Sequence, residues 1–202
     1  GESVSNSAGL LSPGGEQISR YDKVHLVPFG EYVPFRPLLF FAESLVRNVG
    51  DFQAGTKYTL SSIDGHQIST TICYEDVFPD LMRQFTKRGA EVIVNITNDG
   101  WFGSTSAPDQ HLRMAAVRAV ENRRYLVKVT NTGITAIIDP YGNVLSQTKL
   151  GERTTLEGEV GYRNDLTFYV RYGDVFGYVM AIIAAAAVVL GSIRSLWPAC
   201  MN

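Results

Sequence analysis

The order of apolar and polar residues divides the chain into short periodic runs joined by turn residues. From Ser5 to Leu26 it predicts a strand, a turn at Pro13-Gly14-Gly15 and a second strand continuing through Tyr21-Asp22-Lys23-Val24-His25-Leu26-Val27. The next stretch sets Pro28, Pro34 and Pro37 among Phe29, Tyr32, Phe35, Leu38, Leu39, Phe40 and Phe41. Proline lacks a ladder donor, so this is not a core strand; its apolar density fits either a partly buried loop or one that dips into a membrane interface. Asp64-Gly65 then separates Tyr58-Thr59-Leu60 from Gln67-Ile68-Ser69-Thr70-Thr71-Ile72-Cys73, a hairpin whose second strand ends on Cys73. Leu81, Met82 and Phe85 recur at helical spacing between Phe78 and Lys87, and Gly89 closes that helix. Glu91 to Thr97 reads as a buried strand followed by the polar turn Asn98-Asp99-Gly100-Trp101.

Gln110 to Arg124 carries the clearest helical pattern before the C-terminal segment. Leu112, Ala115, Ala116, Ala119 and Val120 fall on one face, leaving Arg113, Glu121 and Arg124 for polar contacts. Tyr125 to Val129 and Ile134 to Ile138 read as strands, and Pro140-Tyr141-Gly142-Asn143 turns the chain into Val144-Leu145. Strands interleaved with helices predict an α/β class, with helices covering sheet faces. Val175 to Ile193 then runs nineteen positions without a charge. At a rise of about 1.5 Å per residue, such a helix reaches about 28 Å, the thickness of a bilayer's hydrocarbon core. Tyr169, Tyr172 and Tyr178 lead into it, and Arg194 and Trp197 follow. That flanking pattern predicts a transmembrane helix with a cytoplasmic C-terminus and the α/β domain on the other side; a buried alanine-rich core helix is the competing reading.

Composition narrows the possible partners. The formal net charge is -2 and the 18 basic residues form no run longer than a pair, so no nucleic-acid footprint is present. Cys73 and Cys200 lie in unrelated contexts, and no bridge between them is expected. His25, His66 and His111 are scattered and no CxxC or HExxH spacing occurs, so neither a metal nor another cofactor is expected. Gly1 to Ala8 lacks a basic region followed by an apolar one, which argues against a signal peptide, and the chain begins without Met, as a piece of a longer protein would.

Chemistry gathers around Cys73. A cysteine in an apolar strand is ordinarily a small inert hydrophobe. Here Tyr74, Glu75 and Asp76 follow it directly, at a strand end, where α/β folds collect reactive groups. Neighbouring acids raise a thiol's pKa, so a reactive thiolate also needs a cation. Lys23 is the candidate, because it is followed by the apolar run Val24-His25-Leu26-Val27; the bland alternative is a solvated surface charge, just as Glu31 could be an ordinary loop carboxylate. Together, Cys73, Lys23, Glu31 and Glu75 supply a nucleophile, a cation for a developing oxyanion, and carboxylates that orient groups and move protons.

Three runs of sequence are distinctive: Tyr21 to Pro34 (YDKVHLVPFGEYVP), Ile72-Cys73-Tyr74-Glu75 and Asn98-Asp99-Gly100-Trp101-Phe102-Gly103. With Gln110-His111, Arg118-Ala119-Val120-Glu121 and Asn131-Thr132-Gly133-Ile134-Thr135-Ala136, they resemble the apolipoprotein N-acyltransferase family of bacterial inner membranes. The resemblance runs from about residue 5 to the terminal helix. It implies a nitrilase-like α-β-β-α sandwich, its N-terminal part missing, as a partial acyltransferase domain over residues 1–168. Residues 169–174 would be a linker, 175–193 the transmembrane helix and 194–202 a tail, with the catalytic domain in the periplasm.

The implied reaction moves an acyl chain from a phospholipid to the cysteine as a thioester, and from there to the α-amine of a lipoprotein's diacylglyceryl-cysteine. By that resemblance Cys73 is the nucleophile and Lys23 the triad lysine. Glu31 and Glu75 are additional active-site glutamates, and Tyr74 the tyrosine beside the nucleophile. Trp101 belongs to the substrate-facing loops, and Phe35 and Phe40 bring the site to the lipid. The family's general-base glutamate belongs to a Pro-Glu sequence well upstream of the lysine motif; Glu2 and Glu16 lack that context, and neither is assigned. Two alternatives stay open: a nitrilase-superfamily amidohydrolase in which water resolves the acyl-enzyme, and an inactive fragment without the base.

Overall fold

The computed structural model describes residues 4–34 and 52–196, with side chains described through residue 192. Phe35, Phe40 and the rest of the aromatic loop lie outside the described residues, as do Glu2, Trp197 and Cys200. The first hairpin forms as expected from β1 (Ser7–Leu11) and β2 (Gln17–Asp22), paired antiparallel. Its second strand stops at Asp22, earlier than the pattern predicts. The cause is a distant partner: the Lys23 N–H still donates to the Asn6 carbonyl, but the N–H groups of Val24 and His25 donate to the Glu75 carboxylate, so the chain leaves the ladder after Lys23.

The main sheet has six strands in sequential order: β3 (Leu60–Ile63), β4 (His66–Ile72), β5 (Val92–Thr97), β6 (Tyr125–Thr130), β7 (Ala136–Ile138) and β8 (Val144–Gln147). β3 and β4 are joined by Asp64-Gly65 with φ of 50° and 86°, the left-handed pair that a two-residue hairpin turn requires. β4, β5 and β6 run parallel; β7 and β8 return antiparallel. Each parallel step needs a crossover, and the two crossovers carry α1 (Pro79–Lys87) and α2 (Ala107–Asn122). The α/β class and the placement of both helices follow the hydrophobic pattern.

The helices pack on each other, and α2 packs on β6. α1 buries Leu81, Met82 and Phe85, and the Phe85 ring meets Tyr21 and Tyr58 edge-on at 5.4 and 5.2 Å. Ile93, Leu126 and Ile138 of β5, β6 and β7 are wholly buried. Burial at this level contributes about 1.5–3 kcal/mol per large side chain. α2 departs from the predicted face. Its buried residues are Pro108, His111, Leu112, Ala115, Arg118, Ala119 and Asn122, while Val120 is 48% exposed. Polar His111, Arg118 and Asn122 share the inward stripe with small alanines, and hydrophobicity alone cannot see them. Arg124 is also buried, its guanidinium donating to the carbonyls of Ala90, Asn122, Arg123 and Asp165 around the end of α2.

Residues 169–174 overlap α3 (Phe168–Tyr172), capped by Thr167, whose hydroxyl accepts from the Val170 N–H and donates to the Glu121 carbonyl. Val170 is fully buried, and Arg83 of α1 donates to its carbonyl. The chain then enters α4 (Val175–Leu196). Its segment Val175–Ser192 has a mean hydropathy of 2.2 and none of it is buried against the rest of the fold. Nothing among the described residues covers it as the core-helix reading would require, and α4 is the one described helix long and apolar enough to cross a membrane.

Candidate active site

Cys73 is the first residue after β4 and opens a 3-10 helix over Cys73–Val77. Its φ is +54°, a left-handed conformation in which a β-carbon crowds the following carbonyl. Such strain persists only where surrounding bonds hold it. On one side the Asn95 side-chain amide donates to the Cys73 carbonyl at 3.1 Å. On the other, the N–H of Ile72 donates to Glu75 Oε2 at 2.8 Å. Cys73 is a free thiol, partly exposed.

Glu75 is wholly buried and does more than follow Cys73 in the chain. Its Oε1 accepts from the Tyr21 hydroxyl at 2.8 Å and from the N–H groups of Val24 at 2.8 Å and His25 at 3.0 Å. One carboxylate therefore ties the segment after Lys23 to the turn that begins at Cys73. Burial pushes the Glu75 carboxyl upward against the pull of these donors. Its own burial, and then the negative charge of Glu75, raises the Tyr21 phenol far above its ordinary value, so Tyr21 stays a neutral phenol whose O–H donates to Glu75 while its oxygen accepts from the Val24 N–H.

Lys23 is 1% exposed, which removes the surface-charge alternative. Its ammonium donates to both oxygens of Glu31, at 3.0 and 2.8 Å. Glu31 also accepts from the Val27 N–H and the Asn6 amide, each at 2.8 Å. Burial would raise the Glu31 carboxyl, but the bonds from Lys23, Val27 and Asn6 outweigh it and hold the group below the ordinary carboxylate value. His25, its ring tilted by 36° to that of Phe78 with centroids 3.6 Å apart, is driven toward its neutral form by burial and by the Lys23 charge. Tyr74 and Trp101 are exposed, the latter by 84%, on the two 3-10 helices that follow β4 and β5. The structure therefore gathers Lys23, Glu31 and Glu75 with the Cys73 turn, and leaves Tyr74 and Trp101 facing outward.

Beneath the turn lies a group that the sequence pattern does not single out. Asp76 accepts from Lys128 at 3.0 Å and contacts His111 Nε2 at 2.6 Å. His111 Nδ1 meets Asp99 at 3.0 Å, and Lys128 also donates to Asn95 at 3.0 Å. Burial would lower the His111 pKa, but its two carboxylate partners raise it above the ordinary value. The nearest sequence signal was Lys128, one charge inside an otherwise apolar strand. Among the described residues no cluster is suited to hold a metal ion.

Gly133 closes this group from above. A β-carbon there would overlap Asp99 Oδ2 and lie 2.7 Å from the Asp99 Cβ. Gly133→Ala is expected to displace Asp99 from His111 and to lower stability by about 1–3 kcal/mol, read as the shift in denaturant unfolding. A wild-type midpoint would contradict that packing.

Residues 1–162 match the carbon-nitrogen hydrolase family. The chain is 50% identical over 184 residues to the apolipoprotein N-acyltransferase of Geobacter metallireducens, an alignment covering 91% of this chain and 35% of that protein. It is 36% identical over 190 residues to the apolipoprotein N-acyltransferase of Thermotoga maritima, covering 94% and 37%. The chain thus spans about a third of the length of these curated relatives. Among solved structures, an amidase from Nesterenkonia sp. superposes with a TM-score of 0.55 at 23% identity, over 82% of this chain and 57% of that one. A Saccharomyces cerevisiae member of branch 10 of the nitrilase superfamily gives 0.55 at 22% identity, over 74% and 51%. At those identities the likeness establishes a shared fold.

Proposed function

Because the chain belongs to the carbon-nitrogen hydrolase family, we propose that it carries the nucleophile of a phospholipid:apolipoprotein N-acyltransferase. In this reading Cys73 takes an acyl chain from a phospholipid as a thioester, breaking the ester so that the lysophospholipid leaves as an alcohol with the proton given up by the thiol. The acyl chain then passes to the α-amine of a lipoprotein's diacylglyceryl-cysteine, and the amine proton returns to the thiolate. The observation that carries it is Glu75, which fastens the Lys23 segment to the strained Cys73 turn in a fold continued by an exposed apolar helix.

Each half-reaction passes through a tetrahedral oxyanion, and a buried ammonium held by Glu31 is a preorganised partner for that charge. The thiol proton passes to a glutamate that the family resemblance places N-terminal to these residues. A thioester is reactive enough to acylate a neutral amine, so one cysteine serves both halves. Tyr74 and Trp101 would contact the lipid or lipopeptide from the exposed rim, and Phe35 and Phe40 would extend that contact. The donor, the acceptor and α4 all belong at a bilayer, which we assign to the bacterial inner membrane, with the catalytic domain on the periplasmic face. No cofactor enters this scheme.

The test uses membranes carrying the full-length protein and a phospholipid labelled in its acyl chain. A hydroxylamine-sensitive adduct should map to the peptide containing Cys73 and discharge onto an added diacylglyceryl-cysteine peptide. An adduct on another residue, or none, sinks the assignment. Release of free fatty acid at an amine-independent rate would favour an amidohydrolase.

A further inference from the structure

The charges beneath Cys73 take no part in the acyl transfer proposed above. Asp76, Asp99, His111, Lys128 and Asn95 are all buried, and they form one connected set. His111 touches Asp76; Asp76 holds Lys128; Lys128 holds Asn95; and Asn95 donates to the carbonyl of Cys73. Three separate crossings of the sheet contribute to this relay, so its order is a property of the folded state alone.

The protonation of His111 follows from geometry. Both of its ring nitrogens face carboxylate oxygens, at 2.6 Å to Asp76 and 3.0 Å to Asp99. An ionised carboxylate only accepts, and a neutral imidazole has one N–H. Both contacts are hydrogen bonds only when the ring carries two protons. The charge count agrees: the Lys128 ammonium pairs with Asp76 alone, and an imidazolium supplies a second positive charge that faces both Asp76 and Asp99. The other groups around the ring are Phe102, at 6.5 Å between ring centroids, and Thr97, which donates to the same Asp99 oxygen.

We propose that His111 is a positioning residue that makes the seating of the Cys73 turn depend on pH. With the ring protonated, Asp76 is pinned between His111 and Lys128, and Lys128 orients Asn95 against the Cys73 carbonyl. When the ring loses a proton, one nitrogen presents a lone pair to a carboxylate, that contact breaks, and the relay slackens. The left-handed Cys73 backbone then relaxes, and the presentation of its thiol changes with it. This inference takes from the proposed function only that Cys73 is a reactive thiol, and not that it carries an acyl chain.

The experiment therefore uses a probe that needs no lipid. Cys73 in the full-length protein, in detergent micelles, is alkylated with iodoacetamide from pH 5.5 to 9.5, and its rate is followed on its own peptide by mass spectrometry. Wild type should show two ionisations: a rise as the thiol deprotonates, and a break to a lower limb as His111 does. His111→Gln keeps one carboxylate contact and cannot titrate. Its rate should be about tenfold below wild type at pH 6, the order expected for losing one hydrogen bond to a charged group, and should converge on wild type at pH 9. A wild-type-to-variant ratio that stays constant with pH marks a purely structural residue and overturns the proposal. Should the variant not fold, the wild-type profile decides alone: a single ionisation overturns it. Two ionisations in a protein that forms no acyl adduct would leave this inference standing and remove the acyltransferase reading.

Discussion

Glu75→Ala is expected to abolish adduct formation and to lower the unfolding free energy by about 4 kcal/mol. The change strands four donors that the carboxylate now satisfies: the Tyr21 hydroxyl and the N–H groups of Val24, His25 and Ile72. A buried donor left unpaired costs about 1–3 kcal/mol, and water entering the vacated space recovers part of the sum. Against a typical domain stability of about 5–15 kcal/mol, such a loss is large. Activity falls further than stability, because the lost group is the tie between the Lys23 segment and the Cys73 turn. Glu75→Gln separates the two effects. Its oxygen can still serve three donors, while its amide nitrogen opposes the Ile72 N–H, so the fold is mostly retained and the turn is disturbed. Denaturant unfolding of both variants beside the labelled-phospholipid assay checks this; a Glu75→Ala protein with wild-type stability would refute the tie.

Lys23→Met is expected to cut the rate of adduct formation by about 10²–10³, the usual cost of removing one oxyanion partner. Methionine fills nearly the same buried volume, so the loss reads the charge and not the packing. The variant also exposes the role of Glu31. A carboxyl whose folded pKa is depressed contributes stability above its unfolded value, about 4.3, and loses it as pH falls through the folded value. Without Lys23 the depression shrinks, so acid unfolding of Lys23→Met should begin at higher pH than in wild type. An adduct rate within a factor of two of wild type would exclude Lys23 from the chemistry, and an unchanged acid limb would exclude the ion pair from stability.

Much of this arrangement could be read from hydrophobic pattern. The hairpin ending on Cys73, the α1 face formed by Leu81, Met82 and Phe85, and the apolar α4 each depend on local periodicity or on length, which a linear sequence displays. What hydrophobic pattern does not show is which polar residues turn inward. His111 and Arg118 of α2 lie on the buried stripe because His111 finds Asp76, 35 residues away, and Asp99; no window of neighbouring residues contains that information. The early end of β2 has the same origin, since the partner of the Val24 and His25 N–H groups is Glu75, about 50 residues on. Lys128 was the readable trace: a single charge in Tyr125–Thr130 requires a counter-charge on whatever covers that strand. The set of Cys73, Lys23, Glu31 and Glu75 was visible as a list of chemically compatible residues. What the list lacked was that Glu75 acts as a fastener.

Residue 73 also records a conflict between two selective demands. A side chain at φ +54° costs roughly 1–2 kcal/mol that glycine would not. Folding alone would favour glycine there, and glycine has no thiol. Retaining cysteine means that the main chain aims the sulfur, with little left to rotamer choice. In the proposed reading, a change to glycine here would relieve the backbone and in the same step remove the nucleophile.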